Sequence, residues 1–528
     1  MSVMKNGTQK ISVPRTAKQL RATIVAVKAR LKDRYAEQSS SVSFLIILGL
    51  FSALIIQEEA NISSFAGSFF MSLAVYFIFF KDIKRYKPSY INDRKMVYLL
   101  GLLLVSTLFA GRLFDYLNAG LGRGLHFPDG MSTMFGTPLP VGAMLCALIF
   151  DFHTALIFSL VISLLTGVAF QNPFLPIYVF IGSLTAAFSV LRCKKRSALI
   201  KGGLYVSMVN VVIAGIILLL TSHLFTAIAP AAIFFAAVSG FFVAAIVSIM
   251  LPIIEYFFGI STDISLLELL DLGQPLMKNL MISAPGTHHH SIIVGNLTEA
   301  AAEAVGANPL LSRVTAYYHD IGKLKMPEYF VENQQGGFSK HEKVAPHMST
   351  MILIAHVKEG VELARQYKLP KSVIDIIQQH HGTRLMHFFY QKARDQSGTV
   401  NEGEYRYPGP KPQTRVAALV MMADAVEAAA RALTDPTPAR ISALVERIIN
   451  EIFLDGQIDE CELTLKDISE IKKRFTYVLI SIFHKRIEYP EIELKGAHQR
   501  SESGAERPSH GNGNSYKEHS KVDKGSPR

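Results

Sequence analysis

Eight apolar stretches in the first half of this 528-residue chain constrain its fold more than any other feature. They lie near residues 42–57, 62–80, 96–111, 139–151, 154–170, 174–191, 203–222 and 230–256. A helix needs about 20 mostly apolar residues to cross a bilayer, and some of these runs are shorter, so the ends of the spans are approximate. Hydrophobic residues make up 49% of the chain and charged residues only 18%, a balance typical of membrane proteins. The stretches predict a multi-span helical membrane bundle.

The distribution of basic residues predicts how these spans are oriented. Residues 81–95 and 192–202 hold six and five Lys or Arg residues, whereas the alternate connections hold only Arg112 and Arg123. Basic loops stay on the cytoplasmic side of a membrane, so eight spans place both chain termini in the cytoplasm. Much of the net charge of +11 flanks the apolar stretches, which argues against a polymeric nucleic acid as a partner.

The lack of charged residues inside the predicted bundle indicates which functions it can have. The central parts of the seven later stretches contain no Asp, Glu, Lys or Arg. Ion-coupled transporters usually bury such groups along their pathway, so an anchor or a sensor is predicted instead. Residues 112–138 are the only sizeable segment on the outer side, and a plain connecting loop is favoured there over a signal-binding site.

Changes in composition divide the chain into six predicted segments. These are a basic cytoplasmic leader (1–40), an N-terminal membrane anchor (41–58), a seven-helix bundle (62–258), a juxtamembrane linker (259–285), a soluble helical domain (286–488) and a disordered tail (489–528). Cys146, Cys193 and Cys461 are too far apart to form a disulfide framework. A reducing cytosol is therefore expected around the soluble domain.

Histidines and carboxylates recur on successive helix-like segments of that domain. They are His290 in GTHHHS, His319-Asp320 in AYYHDIG, His356 in ILIAHVKEG, His380-His381 in IIQQHHG and Asp424 in VMMADAVEAAAR. Five imidazoles and two carboxylates suit a two-metal site holding Fe, Mn, Co or Zn, with Mn or Fe favoured. Two such ions can clamp the oxygens of an in-line phosphoryl displacement.

Six motifs together resemble the seven-transmembrane HD family over residues 62–490. They are GTHHHS, AYYHDIGKLKMPEYFVENQ, AHVKEGVELARQYKLP, QHHGT, YRYPGPKPQTR and DGQIDECELTLKDI. The resemblance implies an all-α protein: a membrane bundle followed by a cytoplasmic, all-helical HD-type phosphohydrolase domain. Characterised members of the PgpH type are cyclic-di-AMP phosphodiesterases of the bacterial cell membrane.

The resemblance also implies a role for each candidate residue. One ion would be held by His290, His319 and Asp424, the other by His356, His380 and His381, with Asp320 bridging. His288 is not expected to be a ligand, and the role of His289 stays open. Asp320 and Lys323 are the catalytic candidates, because Lys323 could contact a phosphate or assist the leaving oxygen. Asn333 and Arg415 are weaker candidates for substrate contact.

The expected reaction is hydrolysis of a cyclic dinucleotide, cyclic-di-AMP to pApA. The preference for adenine comes from the resemblance alone. Two alternatives stay open: another nucleotide substrate, such as cyclic-di-GMP or a guanosine polyphosphate, and a non-catalytic nucleotide-binding membrane receptor.

Family members carry a large extracellular domain after the first span, where this chain has only EEANISS. The expected partners are the nucleotide and the lipid bilayer, and a homo-oligomer stays open.

Overall fold

Helices make up most of the part of the chain that the structure, a computed structural model, describes. That part comprises residues 42–57, 61–124, 133–191, 193, 195–334 and 339–483. These ranges contain no β-strand, and their one isolated bridge joins Leu385 to Arg406. The predicted all-α class is confirmed. The leader predicted at 1–40 and the tail predicted at 489–528 lie outside the described residues.

Eight helices correspond to the eight apolar stretches. They are α1 (Val42–Ile56), α2 (Ile62–Tyr86), α4 (Arg94–Gly124), α5 (Pro140–Ile149), α6 (Phe152–Phe170), α7 (Leu175–Ser189), α8 (Ser197–Leu220) and α9 (Ile228–Phe258), with a short α3 (Pro88–Asn92) after α2. Helices α2, α4, α6, α8 and α9 are long and apolar enough to cross a membrane, whereas α1, α5 and α7 are shorter. A multi-pass membrane protein is therefore confirmed. The count of eight spans stays a prediction, because the 10 residues of α5 rise only about 15 Å, half of a bilayer's hydrocarbon thickness.

The predicted outer segment 112–138 is not a loop over its whole length. Helix α4 continues through Arg112 to Gly124, and a separate, buried 3-10 turn begins at Met134. The helix continues past Arg112 because the guanidinium finds acceptors inside the bundle: it donates to the carbonyl oxygens of Ile56 (2.7 Å) and Ala169 (2.5 Å). This correction narrows the surface that an outside ligand could reach.

Polar contacts at the opposite end of the bundle fix where α6 begins. The side chain of Asp151 accepts a hydrogen bond from the backbone N–H of Thr154 (2.9 Å), which caps α6. Lys87 lies 3.5 Å from Asp151, and His153 lies 2.8 Å from Asp82. These contacts hold the α5–α6 turn beside the basic segment 81–95. Which end of the bundle faces the cytoplasm stays a prediction.

The described residues from 263 to 483 contain ten further α-helices. They are α10 (Asp263–Leu269), α11 (Pro275–Ser283), α12 (Pro285–Val305), α13 (Pro309–Tyr318), α14 (Pro346–Gln366), α15 (Lys371–Gln379), α16 (His387–Ser397), α17 (Arg415–Arg431), α18 (Pro438–Leu454) and α19 (Leu465–Ile482). Most residues of helix α17 are buried. Helices α12, α13, α15, α18 and α19 pack against it.

The predicted linker takes part in the hydrophobic core of the C-terminal half. Leu266 of α10 and Leu280 of α11 are buried in one cluster with Tyr318. The Tyr318 hydroxyl donates a hydrogen bond to the carbonyl of Leu269 (2.8 Å). This packing attaches α10 and α11 to the helix that ends at the His-Asp motif. The boundary at residue 285 stays a prediction.

Candidate metal centre

The seven predicted ligands come from five helices of the C-terminal half. His290 lies on α12, His319 and Asp320 end α13, His356 lies on α14, His380 and His381 follow α15, and Asp424 lies on α17. Gly322, two residues after Asp320, permits this convergence. A Cβ at Gly322 would collide with the backbone of α14 at His356, so only glycine lets the two segments approach this closely.

The first group of ligand atoms, half-site A, comprises His290, His319, Asp320 and Asp424. One ligand atom from each residue lies within 4.8 Å of the others. The Nε2 atom of His290 is 3.1 Å from Oδ1 of Asp424. The Nε2 atom of His319 is 3.1 Å from Oδ2 of Asp320.

The second group, half-site B, comprises Asp320, His356, His380 and His381, again within 4.8 Å of one another. Oδ1 of Asp320 lies 3.4 Å from Nε2 of His356 and 3.7 Å from Nε2 of His380. Asp320 thus presents Oδ2 to half-site A and Oδ1 to half-site B. It is the one residue common to the two groups.

Three histidines turn their Nε2 atoms toward the same space. The Nδ1 atoms of His319, His356 and His380 each lie within hydrogen-bonding distance of a backbone carbonyl three residues earlier. A carbonyl only accepts, so each Nδ1 donates and leaves Nε2 to face the centre. The Nε2 atoms of His356 and His380 lie 3.3 Å apart, and both lie within 3.7 Å of Oδ1 of Asp320. Imidazole nitrogens and carboxylate oxygens gathered in this way are the ligand atoms of divalent metal sites, so the residues fit such an ion.

The electrostatic environment differs between the histidines. Burial alone would lower the pKa of His290, but hydrogen bonds and charges from Asp424 and Glu427 outweigh it and raise that pKa to about 10. Burial lowers the pKa of His356 to about 3. Burial, together with the neighbouring His380, also holds the pKa of His381 well below its usual range. His356 and His381 therefore offer neutral imidazoles to a cation in half-site B.

Lys323 lies against the shared carboxylate. Its ammonium is 2.7 Å from Oδ2 of Asp320 and 2.8 Å from Oε1 of Glu332. Burial would lower the pKa of Lys323, but these two carboxylates raise it overall, so the lysine stays charged. Lys323 therefore lies at the candidate metal centre, a position that is consistent with the predicted catalytic role.

The two weaker candidates have structural partners elsewhere. Asn333 accepts a hydrogen bond from the backbone N–H of Thr287 (3.1 Å) and donates to the hydroxyl of Thr287 (2.9 Å), which holds the start of α12. Arg415 donates to the carbonyls of Glu462 (2.8 Å) and Val305 (2.9 Å). It begins α17, about 13 Å along the helix axis from Asp424. The structure does not bring Arg415 to the metal centre.

Two residues at the centre were missed in the sequence. Glu427 is buried and accepts a hydrogen bond from Nδ1 of His290. Its position three residues after Asp424 on the same helix could have identified it, because such residues share a helix face. The ring of Tyr407 stacks on His381, with ring centroids 4.2 Å apart. Tyr407 lies within the motif YRYPGPKPQTR, but that motif gave it no role, because it reaches the centre from a loop.

Solved structures resemble the C-terminal half. The crystal structure of the L. monocytogenes phosphodiesterase PgpH HD domain is 46% identical and matches 40% of this chain and 100% of its own, with a TM-score of 0.39. A crystal structure of that domain in complex with cyclic-di-AMP is 45% identical and matches 40% of this chain and 99% of its own, also with a TM-score of 0.39.

Curated relatives match more of the chain. The cyclic-di-AMP phosphodiesterase PgpH of Bacillus subtilis is 36% identical over 437 residues, which are 81% of this chain and 60% of the relative. The protein of the same name from Listeria monocytogenes is 39% identical over 341 residues, which are 64% of this chain and 47% of the relative. The chain thus spans less than two thirds of the length of either relative.

Two protein families match consecutive parts of the sequence. The family described as a 7TM receptor with intracellular HD hydrolase matches residues 62–262. The HD domain family matches residues 287–429, which include every residue of half-sites A and B. Together these two matches cover more than half of the chain, and they show that it belongs to the family of 7TM receptors with an intracellular HD hydrolase.

Proposed function

We propose that this protein is a membrane-anchored phosphodiesterase that hydrolyses cyclic-di-AMP to pApA with two divalent metal ions, Mn or Fe. The observation that carries the proposal is the pair of buried ligand groups joined by Asp320. Support also comes from the relatives, since both PgpH proteins are named cyclic-di-AMP phosphodiesterases. Imidazole and carboxylate ligands together suit Mn and Fe.

The ligand set would hold the two ions side by side. His290, His319 and Asp424 would bind one of them, and Asp320 would bind both through its two oxygens. The remaining ligands, all from half-site B, would be His356, His380 and His381. Bound divalent ions lower the pKa of water and neutralise charge on the oxygens of a phosphodiester.

The charges of the surrounding residues favour an anionic substrate. Asp320 and Asp424 supply two negative charges, which cannot cancel the charge of two divalent ions. Lys323 is paired with Glu332, and Glu427 is paired with Arg431, so these four side chains add no net charge. The loaded centre would therefore stay positive and attract a phosphodiester.

Exposure indicates from which side the substrate would enter. The side chains of His381 and Asp424 are 17% and 11% exposed. The side chains of His290, His319 and Asp320 are at most 5% exposed. A phosphate would therefore approach beside His381, where the ring of Tyr407 also lies. Lys323 would orient Asp320 and place a positive charge near the leaving 3′ oxygen.

Nucleotide turnover by the full chain in lipid nanodiscs tests this proposal. We expect Mn- or Fe-loaded protein to convert cyclic-di-AMP to pApA faster than it hydrolyses cyclic-di-GMP or a guanosine polyphosphate. Reaction in ¹⁸O-water should place the label on the 5′ phosphate of the product, because water attacks phosphorus. Faster turnover of a guanosine nucleotide would refute the assigned substrate. Metal-loaded protein that binds cyclic-di-AMP without turnover would favour the receptor alternative.

The proposed location is the bacterial inner membrane, with the N-terminus and the HD domain in the cytoplasm. The basic segments 81–95 and 192–202 support this orientation. Reporter fusions at residues 88 and 198 should report the cytoplasm, and a fusion at residue 125 should report the outside. A cytoplasmic signal from residue 125 would contradict this topology.

A further inference from the structure

We infer that Glu427 is a positioning residue that makes half-site A the tighter of the two metal positions. The inference rests on the proposed two-metal centre and goes beyond it, because it ranks the positions and names the cause. It begins from a difference between His290 and the other histidines. Where His319, His356 and His380 donate to a carbonyl of their own segment, His290 donates to a carboxylate on a different helix.

The surroundings of Glu427 hold it in this role. Its side chain is 3% exposed, and one oxygen contacts Nδ1 of His290. The other oxygen accepts from Nη2 of Arg431, one turn later on α17 (2.5 Å). His290 and Arg431 thus hold the two oxygens of this carboxylate from different sides. Glu427 is therefore fixed in place behind His290.

A carboxylate on Nδ1 increases the electron density on Nε2. Carboxylate–histidine–metal arrangements fix the tautomer and the ring orientation, and they make the imidazole a stronger ligand. Removing such a partner typically costs about 10–100-fold in metal affinity. In this protein, one turn of α17 supplies two groups. Asp424 is a predicted ligand, and Glu427 orients a second predicted ligand, His290.

Negative charge is consequently concentrated on one side of the centre. Half-site A contains the carboxylates of Asp320 and Asp424, and the ion-paired Glu427 lies behind it without adding net charge. Half-site B contains Asp320 alone among carboxylates, and its three histidines carry no charge when they bind a metal. A divalent cation gains more Coulomb energy in half-site A. Half-site A should fill first, and half-site B should lose its ion first to a chelator.

Equilibrium dialysis of the full chain in nanodiscs against graded free Mn²⁺ tests the inference. Bound metal is measured by mass spectrometry, under argon and at one fixed pH for wild type and variants. Wild-type protein should bind two ions in two separable steps. His380→Ala should remove the weaker step, which assigns that step to half-site B.

The deciding variant is Glu427→Gln, which keeps the shape of the side chain and removes its charge. We expect the tighter step to weaken about 10–100-fold and the weaker step to change less than about threefold. Glu299→Gln is the matched control. Glu299 lies on the same helix as His290 but forms a partly exposed ion pair with Arg313 (3.0 Å), which the substitution breaks. It should leave both steps unchanged.

The outcomes are distinguishable from one another and from the proposed function. A tighter step that stays within twofold of wild type in Glu427→Gln would overturn the inference. Equal weakening of both steps would also overturn it, because that pattern indicates a general structural role. Retention of the weaker step shows that the variant is folded. Wild-type protein that binds two ions in order but hydrolyses no cyclic dinucleotide would refute the proposed function and leave the inference intact.

Discussion

Half-site A is built from two imidazoles and two carboxylates, whereas half-site B is built from three imidazoles and the one carboxylate that both share. In half-site B, burial lowers the pKa values of His356 and His381. His290 in half-site A has a raised pKa because two carboxylates flank it. The difference shows that two adjacent metal positions on one set of helices can have different electrostatics. Asp320 is the residue through which they act together.

The largest effect is expected from removing that shared residue. Asp320→Ala takes one carboxylate oxygen from each half-site, so we expect turnover to fall at least about 1,000-fold and metal content to fall with it. Asp375→Ala is the control, since Asp375 forms a surface ion pair with Lys371 (2.7 Å). Metal analysis and nucleotide turnover of both variants check the prediction. Two bound ions with more than about a tenth of wild-type turnover in Asp320→Ala would contradict a bridging role.

Lys323 should have the next largest effect. Lys323→Met removes the positive charge beside Asp320, and we expect turnover to fall about 10–100-fold while both ions stay bound. Lys323→Arg should restore part of the turnover because it keeps the charge. Lys371→Met is the matched control, because Lys371 also pairs with an aspartate but lies on the surface. Loss of metal from Lys323→Met would show that the lysine acts only by stabilising the ligand set.

The pH dependence of metal binding separates the two half-sites further. With a pKa of about 10, His290 is a positively charged imidazolium at neutral pH in the metal-free protein, with a proton on each ring nitrogen. A metal must displace that proton, so the affinity of half-site A should fall as the pH falls below about 10, by at most about tenfold per pH unit. The pKa of His356 is about 3 and that of His381 lies well below its usual range, so these two ligands of half-site B need no such displacement between pH 6 and pH 9. An indicator dye should detect one proton released with the first ion and almost none with the second.

The smallest effect is expected from the membrane half. Replacing residues 125–132 by a Gly/Ser linker of equal length should leave turnover within about twofold of wild type, because the proposed role of the bundle is to anchor the enzyme. This replacement spares α4, which ends at Gly124, and the buried turn that begins at Met134. A several-fold change in turnover of the full chain in nanodiscs would make the bundle a receptor.

The sequence predicted those features that depend on residue type and order. Apolar stretches predicted the membrane helices, and the seven ligand-type residues that the motifs indicated all lie in the two groups. Their exact partners depend on tertiary packing and could not be predicted in this way. Asn333 and Arg415 stay predicted substrate contacts, and their hydrogen bonds to Thr287 and to the carbonyls of Glu462 and Val305 are partners that the sequence did not indicate.

Glu427 is a residue of the metal centre that the sequence did not indicate, again because its partner depends on tertiary packing. A glutamate in an alanine-rich helix is usually a solvent-exposed residue, and only the crossing of α12 and α17 places it behind His290. The spacing from Asp424 was visible in the sequence, but the partner helix was not. Half-site A was therefore predicted as a set of ligands without the residue that distinguishes it from half-site B.

Turnover of cyclic-di-AMP as a function of bound metal per chain tests the central claim most directly. Full-length protein in nanodiscs is loaded with increasing Mn²⁺, and metal content and pApA formation are measured on the same samples. The two-metal centre predicts almost no turnover up to one ion per chain and a steep rise as the second ion binds to half-site B. Full turnover at one ion per chain, or none at two, would contradict it.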